Sequence, residues 1–456
     1  MKNIVLVGAG WTGMSGVAWM LHDLWYTNIV CIDASQSQLT DNLKEKWLQV
    51  IIGHGKYKIQ FWDAIIYSEA TAESEEVLEA RNLRKNKRKV MVILNYFQFL
   101  GEISKYFSTT WFTGTNGKSS STALAIHTAK KILPNFWLGI LGALVPSFDN
   151  KSYVINTKAK KDIQNIFDYI FTGKWLNYDN IKKYIFFVES CEYKRHFLYL
   201  DLDYTIIISL ELDHTDYYKD MKDYLSAFDQ LINRTKQKVF VPKWLKGITS
   251  PKIQEVSVKK IAFDHLIGEH NNINGSLVLE LLKTLSKETK TKTTSSLKTF
   301  WWIRRRMEYL TTNTNGAKIF TDYWHMASSI DFGYEALKQK FPNKKICVIF
   351  QPHQINRIIT WRKDFQNALK KYDQIIVYDI YAARENLWDL VKKIPALKSI
   401  KTLKQLGDKF AEACWGIYTD KFEDITKKIK QAKNDSVIIV YSAGDVDYKL
   451  RSFLKI

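Results

Sequence analysis

A short stretch of small, amide and charged residues has the composition of a phosphate-binding loop. Residues 109–122 read TTWFTGTNGKSSST, an apolar run followed by glycines, a lysine and hydroxyls. Glycines let backbone N–H groups approach phosphate oxygens, and the start of a helix adds positive potential. The sequence departs from G-x-x-x-x-G-K-[ST], because Phe112 stands at the first glycine position. The compact loop predicted here consists of Gly114, Thr115, Asn116, Gly117, Lys118, Ser119 and Ser120.

Two further side chains follow apolar runs at the positions where parallel strands would end. Glu189 comes directly after the run 184–188, and His214 comes after the run 205–212. Open α/β sheets place ligands at the carboxyl ends of their strands. Mg²⁺ takes few protein ligands plus phosphate oxygens, so Glu189, His214 and a hydroxyl of Ser119 or Ser120 could hold it. We predict the set Ser119, Glu189 and His214. A capping or salt-bridge role for the glutamate, and a structural role for the histidine, stay open.

The N-terminus carries a second glycine-rich turn. Gly8, Gly10 and Gly13 lie between an apolar run and a helix-like stretch, and Asp33 ends the next apolar run about 20 residues later. This pattern predicts a diphosphate group at a helix N-terminus. From these residues alone, a nicotinamide-dependent dehydrogenase is an alternative to a nucleotide-sugar enzyme.

The order of the motifs resembles that of the Mur ligase family. After GTNGKSS come FVESCEYKRHFL, ISLELDHTDYY, GEHNNINGSL, RRRMEYL and TDYWHMASS, which together span most of the chain. The resemblance implies an ATP-dependent acid–amino-acid ligase that uses Mg²⁺. It implies catalytic roles for Lys118, Glu189 and His214. It adds Asn271, Arg306, Asp322 and His325 to the seven loop residues as ATP contacts, and it implies UDP-sugar contacts for Gly8, Gly10, Gly13, Ser15, Asp33 and Ser68.

Further motifs resemble the member of that family that acts first, which joins L-alanine to UDP-N-acetylmuramate. These motifs are GMSGVA, GHG, YSEA, FQPHQINRI and DIYAARE. Later-acting members have a carbamylated lysine where this chain has Ala227. A ligase that adds another amino acid or a recycled peptide is the nearest alternative. Gln354, Met326 and Ala327 depart from the family pattern and leave the preferred amino acid open.

Apolar runs alternate with helix-like stretches, which indicates βαβ units and mostly parallel sheets. The predicted fold is α/β with three domains: a Rossmann-like N-terminal domain, a central P-loop ATPase-type α/β domain and a Rossmann-like C-terminal domain. We expect residues 1–106 to bind the UDP-sugar, residues 107–296 to bind ATP, and residues 297–456 to contact the amino acid and ATP. The polar stretch 287–298 reads as a linker.

Bulk composition limits the partners and the location. The formal net charge is +20, but the lysines are scattered along the chain, so we expect a solvated basic surface and no nucleic-acid partner. A nucleic-acid-binding ATPase is the alternative. No apolar run is long enough to span a membrane. The four cysteines form no C-x-x-C pair. We expect a cytoplasmic enzyme that is a monomer or a weak homodimer.

Tryptophan is unusually frequent where glycine would be expected. The chain has 15 Trp and 20 Gly in 456 residues, whereas glycine averages about 7% of residues. Trp25 and Trp47 each fall between a helix-like stretch and a strand, where a left-handed residue is expected. Trp11, Trp302 and Trp324 stand where the Mur pattern has glycine. We hypothesise that these codons are UGA, decoded as glycine in the source cell. Genuine tryptophan on tolerant surfaces is the alternative.

Overall fold

In the computed structural model, the chain forms two compact units. The first comprises Met1–Asp264 and Asn272–Ile303, and the second comprises His265–Asn271 and Arg304–Ile456. The structure describes residues 3–87, 92–173, 181–286, 288–323, 326–383 and 385–456.

The first sheet is a parallel five-stranded sheet within the described residues, in the order β3-β2-β1-β4-β5. Its elements are β1 (Ile4–Val7), α1 (Thr12–Asp23), β2 (Ile29–Asp33), α2 (Gln38–Glu45), β3 (Gln49–Ile52), β4 (Ala64–Tyr67), α3 (Glu75–Lys87), β5 (Ile93–Asn95) and α4 (Tyr96–Ser104). The strand order reverses between β1 and β4, and ligands bind at such a switch point in open α/β sheets. The loop that follows β1 lies there.

The second sheet has the order β12-β11-β10-β6-β9-β7-β8 over the same ranges, and only its edge pair β7–β8 is antiparallel. Its elements are β6 (Ser108–Thr113), α5 (Lys118–Ile132), β7 (Phe136–Val145), β8 (Lys151–Ile155), α6 (Lys160–Thr172), β9 (Ile185–Glu189), β10 (Tyr204–Ile207), α7 (Met221–Arg234), β11 (Lys238–Pro242), β12 (Ile253–Val256), α8 (His270–Leu285) and α9 (Lys290–Lys298). The central strand β6 lies between β9 and β10. The loops after these three parallel strands therefore meet at one edge.

The third sheet belongs to the second unit and has the order β13-β14-β18-β15-β16-β17 among the described strands. Its elements are β13 (Glu308–Thr312), β14 (Lys318–Asp322), α10 (Ala327–Lys340), β15 (Lys345–Gln351), α11 (Ile355–Thr360), α12 (Arg362–Leu369), β16 (Gln374–Tyr378), α13 (Leu387–Lys393), α14 (Leu403–Ala413), β17 (Ile417–Thr419), α15 (Phe422–Gln431), β18 (Ser436–Ser442) and α16 (Val446–Leu454). Only the edge pair β13–β14 is antiparallel.

The predicted α/β fold with three mostly parallel sheets is confirmed. One local prediction was wrong: the stretch expected to be a linker contains helix α9, whose first turn is capped by the Thr289 side chain accepting from the Lys292 N–H. Thr293 and Leu297 of that helix are buried. Two buried side chains on one face are enough to hold a helix whose composition alone suggests a polar loop. The predicted domain boundaries stay a prediction.

Helix lengths bear on the expectation of no membrane insertion. The longest helix in the described ranges is α8, with 16 residues. Within those ranges we find no helix that combines the length and the apolar character needed to cross a bilayer.

The first two sheets share one apolar core and are also joined by polar contacts. The Tyr26 hydroxyl donates to Asp168 at 2.7 Å, and Lys151 donates to Asp23 at 2.5 Å. Helix α1 packs closely on β8 at Gly16, where an added Cβ would lie 2.0 Å from the Ser152 Oγ. The close approach of α1 to β8 therefore depends on a residue without a side chain.

The variant Gly16→Ala tests this contact. We expect it to lower the free energy of unfolding by about 1–3 kcal/mol, because the new methyl group overpacks the α1–β8 contact. Urea denaturation measures the change. The double variant Gly16→Ala/Ser152→Ala removes the clashing hydroxyl and should recover most of the loss. Equal losses of stability in the single and double variants would show that a clash with the Ser152 hydroxyl is not the cause of the loss.

Candidate active site

The loop after β6 has a backbone that two of its glycines make possible. Gly114 has φ +122°, and an added Cβ would lie 2.7 Å from the Ser209 carbonyl oxygen. Gly117 has φ +84°, and its Cβ would lie 2.7 Å from Asn274 Oδ1 and 2.8 Å from Ile208 Cγ2. Both glycines are required by conformation and by space, since L side chains rarely adopt such angles.

Hydrogen bonds hold this loop against the chain that follows β10. The Thr115 hydroxyl donates to the Glu211 carbonyl at 2.7 Å and accepts from the Glu211 N–H at 2.8 Å. The Asn116 N–H donates to the Ser209 Oγ at 2.8 Å. Helix α5 begins at Lys118, so its first N–H groups and its positive end are beside the loop. Ser120 is a partly exposed residue of that first turn. The geometry suits a phosphate group.

Lys118 is held between the loop carbonyls and a buried carboxylate. Its Nζ donates to the carbonyl oxygens of Gly114 at 2.6 Å and Thr115 at 3.2 Å. It also lies 3.2 Å from the carboxylate of Glu192, a side chain with no exposed surface. Burial alone lowers the Lys118 pKa, but the Glu192 charge and its neighbours outweigh burial, so the pKa lies above its ordinary value. The ammonium is therefore charged at neutral pH.

Glu189 lies at the end of β9, and both of its oxygens accept hydrogen bonds. The Ser119 hydroxyl donates to Oε1 at 2.9 Å, and the Gly142 N–H donates to Oε2 at 2.6 Å. An oriented carboxylate and a hydroxyl are oxygen ligands of the kind that Mg²⁺ prefers. The structure therefore brings together two of the three predicted metal ligands.

His214, the third predicted ligand, faces two other acidic residues. Its Nε2 lies 3.8 Å from Glu192 Oε1 and 3.9 Å from Asp213 Oδ2. Potential ligand atoms of Glu192, Asp213 and His214 all lie within 4.8 Å of one another, a spacing that suits a cation. The residue adopts φ +55°, an uncommon angle that often marks functional sites. Two carboxylates and one imidazole fit Mg²⁺ as well as the predicted set does.

Sequence reasoning missed the role of Glu192. The side chain lies three residues beyond Glu189, past the end of the strand, where no periodicity shows its direction. Its position depends on distant groups, since the Tyr218 hydroxyl donates to the Glu192 carbonyl at 2.5 Å. Asn274 is similar: its Oδ1 accepts from the Ser121 hydroxyl at 3.1 Å in α5. The sequence signal for Glu192 was its close spacing to Glu189, and the signal for Asn274 was its place in the motif GEHNNINGSL.

The loop after β1 gathers four of the residues predicted to bind the UDP-sugar. Gly8 has φ +89°, and an added Cβ would lie 2.3 Å from the Ser68 Oγ. The Gly10 N–H donates to the Asp33 Oδ2 at 2.7 Å, so this carboxylate holds the loop itself. Ser15 is buried within α1, where its hydroxyl donates to the Thr12 carbonyl at 3.1 Å.

The remaining member of that set, Gly13, lies in the first turn of α1 under the ring of Trp11. An added Cβ would lie 2.6 Å from the indole. The indole also packs edge-on against Tyr96, with ring centroids 4.8 Å apart. The ring therefore lies directly on the predicted diphosphate loop.

The other predicted ATP contacts belong to the second unit. Asp322 is fully buried at the end of β14, and Arg306 donates to the carbonyl of the next residue, Tyr323, at 2.8 Å. The Asn271 side chain donates to the Ile267 carbonyl at 2.7 Å. His325 lies outside the described residues. The Arg306–Tyr323 hydrogen bond therefore places Arg306 near Asp322 in space, at the carboxyl end of β14.

The central sheet and its loop define a nucleotide-binding domain of the P-loop type. Residues 112–243 match the family described as the Mur ligase middle domain. Named Mur-type ligases are also similar to this chain along nearly its full length. A UDP-N-acetylmuramate–L-alanine ligase of Lactobacillus acidophilus is 27% identical, over 98% of this chain and 96% of its own length.

Solved structures of the same kind share the fold. A UDP-N-acetylmuramate-alanine ligase of Thermotoga maritima matches with a TM-score of 0.73 at 19% identity, over 100% of this chain and 99% of its own. A folylpolyglutamate synthase of Mycobacterium tuberculosis, complexed with ADP and AMPPCP, matches with a TM-score of 0.53 at 12% identity. That match covers 79% of this chain and 94% of the synthase. The predicted resemblance to the Mur ligases is confirmed.

A double-mutant cycle tests the ion pair between Lys118 and Glu192. We expect Lys118→Met or Glu192→Gln alone to lower the free energy of unfolding by about 2–4 kcal/mol, because each leaves a largely buried charge unpaired. The double variant should lose clearly less than the sum of the two. Urea denaturation measures all three. The control is Glu102→Gln, which breaks a surface ion pair with Lys105 and should change the stability by less than about 1 kcal/mol. Additive losses would mean that the two charges do not interact.

Proposed function

We propose that this chain joins L-alanine to the lactyl carboxylate of UDP-N-acetylmuramate, with conversion of ATP to ADP and phosphate. The observation that carries the proposal is the loop after β6, where Lys118, Ser119 and Glu189 meet at the edge of a sheet. The full-length likeness to ligases named for this reaction supports the choice of substrates. The product is an amide that serves peptidoglycan precursor synthesis.

Lys118 and the loop N–H groups are proposed to hold the β- and γ-phosphates of ATP. The substrate carboxylate attacks the γ-phosphorus, and the alanine amine then displaces phosphate from the resulting acyl phosphate. Such a transfer needs positioning and neutralisation of charge more than a protein nucleophile. The raised pKa of Lys118 keeps its positive charge available for this role.

Mg²⁺ is the proposed metal, held by Ser119, Glu189 and His214, with Glu192 and Asp213 beside the histidine. When bound, the metal would supply positive charge that neutralises the phosphates of ATP. The oxygen-rich donor set supports this assignment. Hydrogen bonds from Ser119 and Gly142 orient both oxygens of Glu189.

The first domain is the proposed UDP-sugar site. Gly8, Gly10 and Gly13 allow the diphosphate to approach the start of α1, and Ser68 and Asp33 support that loop. Ser15 lies one turn further along the same helix. Asn271, Arg306, Asp322 and His325 remain predicted ATP contacts.

The choice of L-alanine over other amino acids is the finer part of the proposal. Ala227 is buried in α7 and has no amine for the carbamylation that marks later-acting ligases. A ligase that attaches a recycled peptide to the same sugar is the nearest alternative, and the assay below separates the two. A cytoplasmic location suits a reaction that consumes ATP. A monomer or a weak homodimer is the proposed state.

Phosphate release with the purified protein tests the reaction. With ATP, Mg²⁺ and UDP-N-acetylmuramate, we expect L-alanine to give faster turnover than glycine, L-serine, D-glutamate or an L-alanyl peptide. Mass spectrometry of the product should show the added alanyl amide. Lys118→Ala should cost about 3 kcal/mol or more of transition-state stabilisation, about a hundredfold in rate. Preference for the peptide would indicate the recycling enzyme, and near-normal turnover of Lys118→Ala would reject the loop assignment.

The Mg²⁺ dependence of the rate tests the metal ligands. Glu189→Gln and His214→Ala should each raise the half-saturating Mg²⁺ concentration at least tenfold, since each removes one of few protein ligands. Titration of the rate with Mg²⁺ at saturating ATP measures the shift. Asp216→Asn, a change at an exposed acid near the same loop, is the control and should leave the requirement unchanged. An unchanged requirement in both variants would return Glu189 and His214 to structural roles.

A further inference from the structure

Three tryptophans end helices in the left-handed conformation. Trp25, Trp47 and Trp415 have φ +65°, +62° and +62°, and they follow α1, α2 and α14. Each N–H donates to a carbonyl three residues earlier, at 2.9, 2.9 and 3.0 Å. The N–H of the following residue then donates to a carbonyl five residues before it, at 3.1, 3.2 and 2.8 Å. This pair of bonds is the Schellman motif, in which glycine is the usual left-handed residue.

A tryptophan gains little in these places that would offset the strained backbone. The left-handed region is unfavourable for any residue with a Cβ and is a genuine outlier for a bulky one. The side chains are 59%, 95% and 77% exposed for Trp25, Trp47 and Trp415. Trp25 and Trp415 each have a lysine over the ring, at 5.4 and 4.3 Å from the centroid. Exposed cation–π contacts of this kind stabilise by less than the left-handed backbone costs.

Buried indole N–H groups give an independent sign of the same mismatch. The indole N–H groups of Trp19, Trp111 and Trp302 are buried and have no hydrogen-bond acceptor among the described residues. A buried donor without a partner is rare in proteins and destabilises the fold. Glycine carries no such group. Three strained and three unsatisfied positions make six of the 15 tryptophans in the chain.

We propose that the native protein carries glycine at Trp25, Trp47 and Trp415, and that these positions are UGA codons which the source cell decodes as glycine. A codon read two ways accounts for the excess of tryptophan and the deficit of glycine together. It also accounts for the recurrence of one residue type at one backbone position in three separate helices. Trp324, which the sequence pattern also suggested, lies outside the described residues.

Glycine in place of Trp11 would also change the loop after β1. The indole of Trp11 is 43% exposed and covers Gly13. With glycine at position 11, the loop would present Gly10, residue 11 and Gly13 to a ligand without an aromatic ring between them. This step rests on the proposed diphosphate site, whereas the helix-end argument does not.

The gene and the native protein decide the identity of these residues. We expect UGA at codons 25, 47 and 415, and peptide mass spectrometry of the protein from its source cell should show glycine at each. UGG at these codons would overturn the proposal, and so would peptides that contain tryptophan at UGA positions.

Stability of the expressed chain tests the physical argument separately. Trp47→Gly should lower the equilibrium constant for unfolding about tenfold, because it relieves the left-handed strain at a site with almost no contacts. The matched control is Trp388→Gly, at an exposed position in the first turn of α13, where glycine should raise that constant, by up to about fivefold. Urea denaturation measures both. Equal destabilisation by the two variants would contradict the inference from backbone conformation.

Discussion

The charge of Lys118 beside the fully buried carboxylate of Glu192 is the interaction on which the site depends. A lysine beside a phosphate-binding loop must stay protonated to bind phosphate, although burial disfavours its charged form. The buried glutamate supplies the opposing charge, and the loop carbonyls of Gly114 and Thr115 supply the acceptors. The pair requires that the loop after β6 and the chain after β9 meet, so the strand order of the central sheet is a condition for the chemistry.

That strand order also explains how much of the site could be predicted. Gly114 and Glu189 follow apolar runs directly, and Lys118 lies four residues after Gly114, so their place near strand ends can be read from local sequence. Because parallel strands present their carboxyl ends at one edge, these predicted residues fall together once β6, β9 and β10 are neighbours. Alternation of strands and helices was sufficient for the fold class. It was not sufficient for the order of strands within each sheet.

Residues beyond the strand ends could not be placed in this way. The segment after β9 turns through Lys194 and Arg195, which have φ +50° and +57°, so neither helical nor strand periodicity applies. Glu192 therefore reaches Lys118 through contacts that are distant in sequence. The prediction of a linker at α9 was wrong because the helical state of this segment depends on the burial of Thr293 and Leu297 and not on its composition.

The same left-handed backbone conformation occurs at Gly117 in the phosphate loop and at Trp47 after α2. A left-handed backbone angle favours glycine at that residue, and this preference does not depend on the surrounding contacts. At Gly117 the sequence meets that preference with glycine, and the loop can pack against Ile208 and Asn274. At Trp47 the angle differs by about 20°, but the sequence has an indole in open solvent. The expectation that a left-handed residue follows a helix therefore predicted the backbone angle at Trp47 correctly from its position alone. The side chain is what does not suit the position, because glycine and not tryptophan favours that angle.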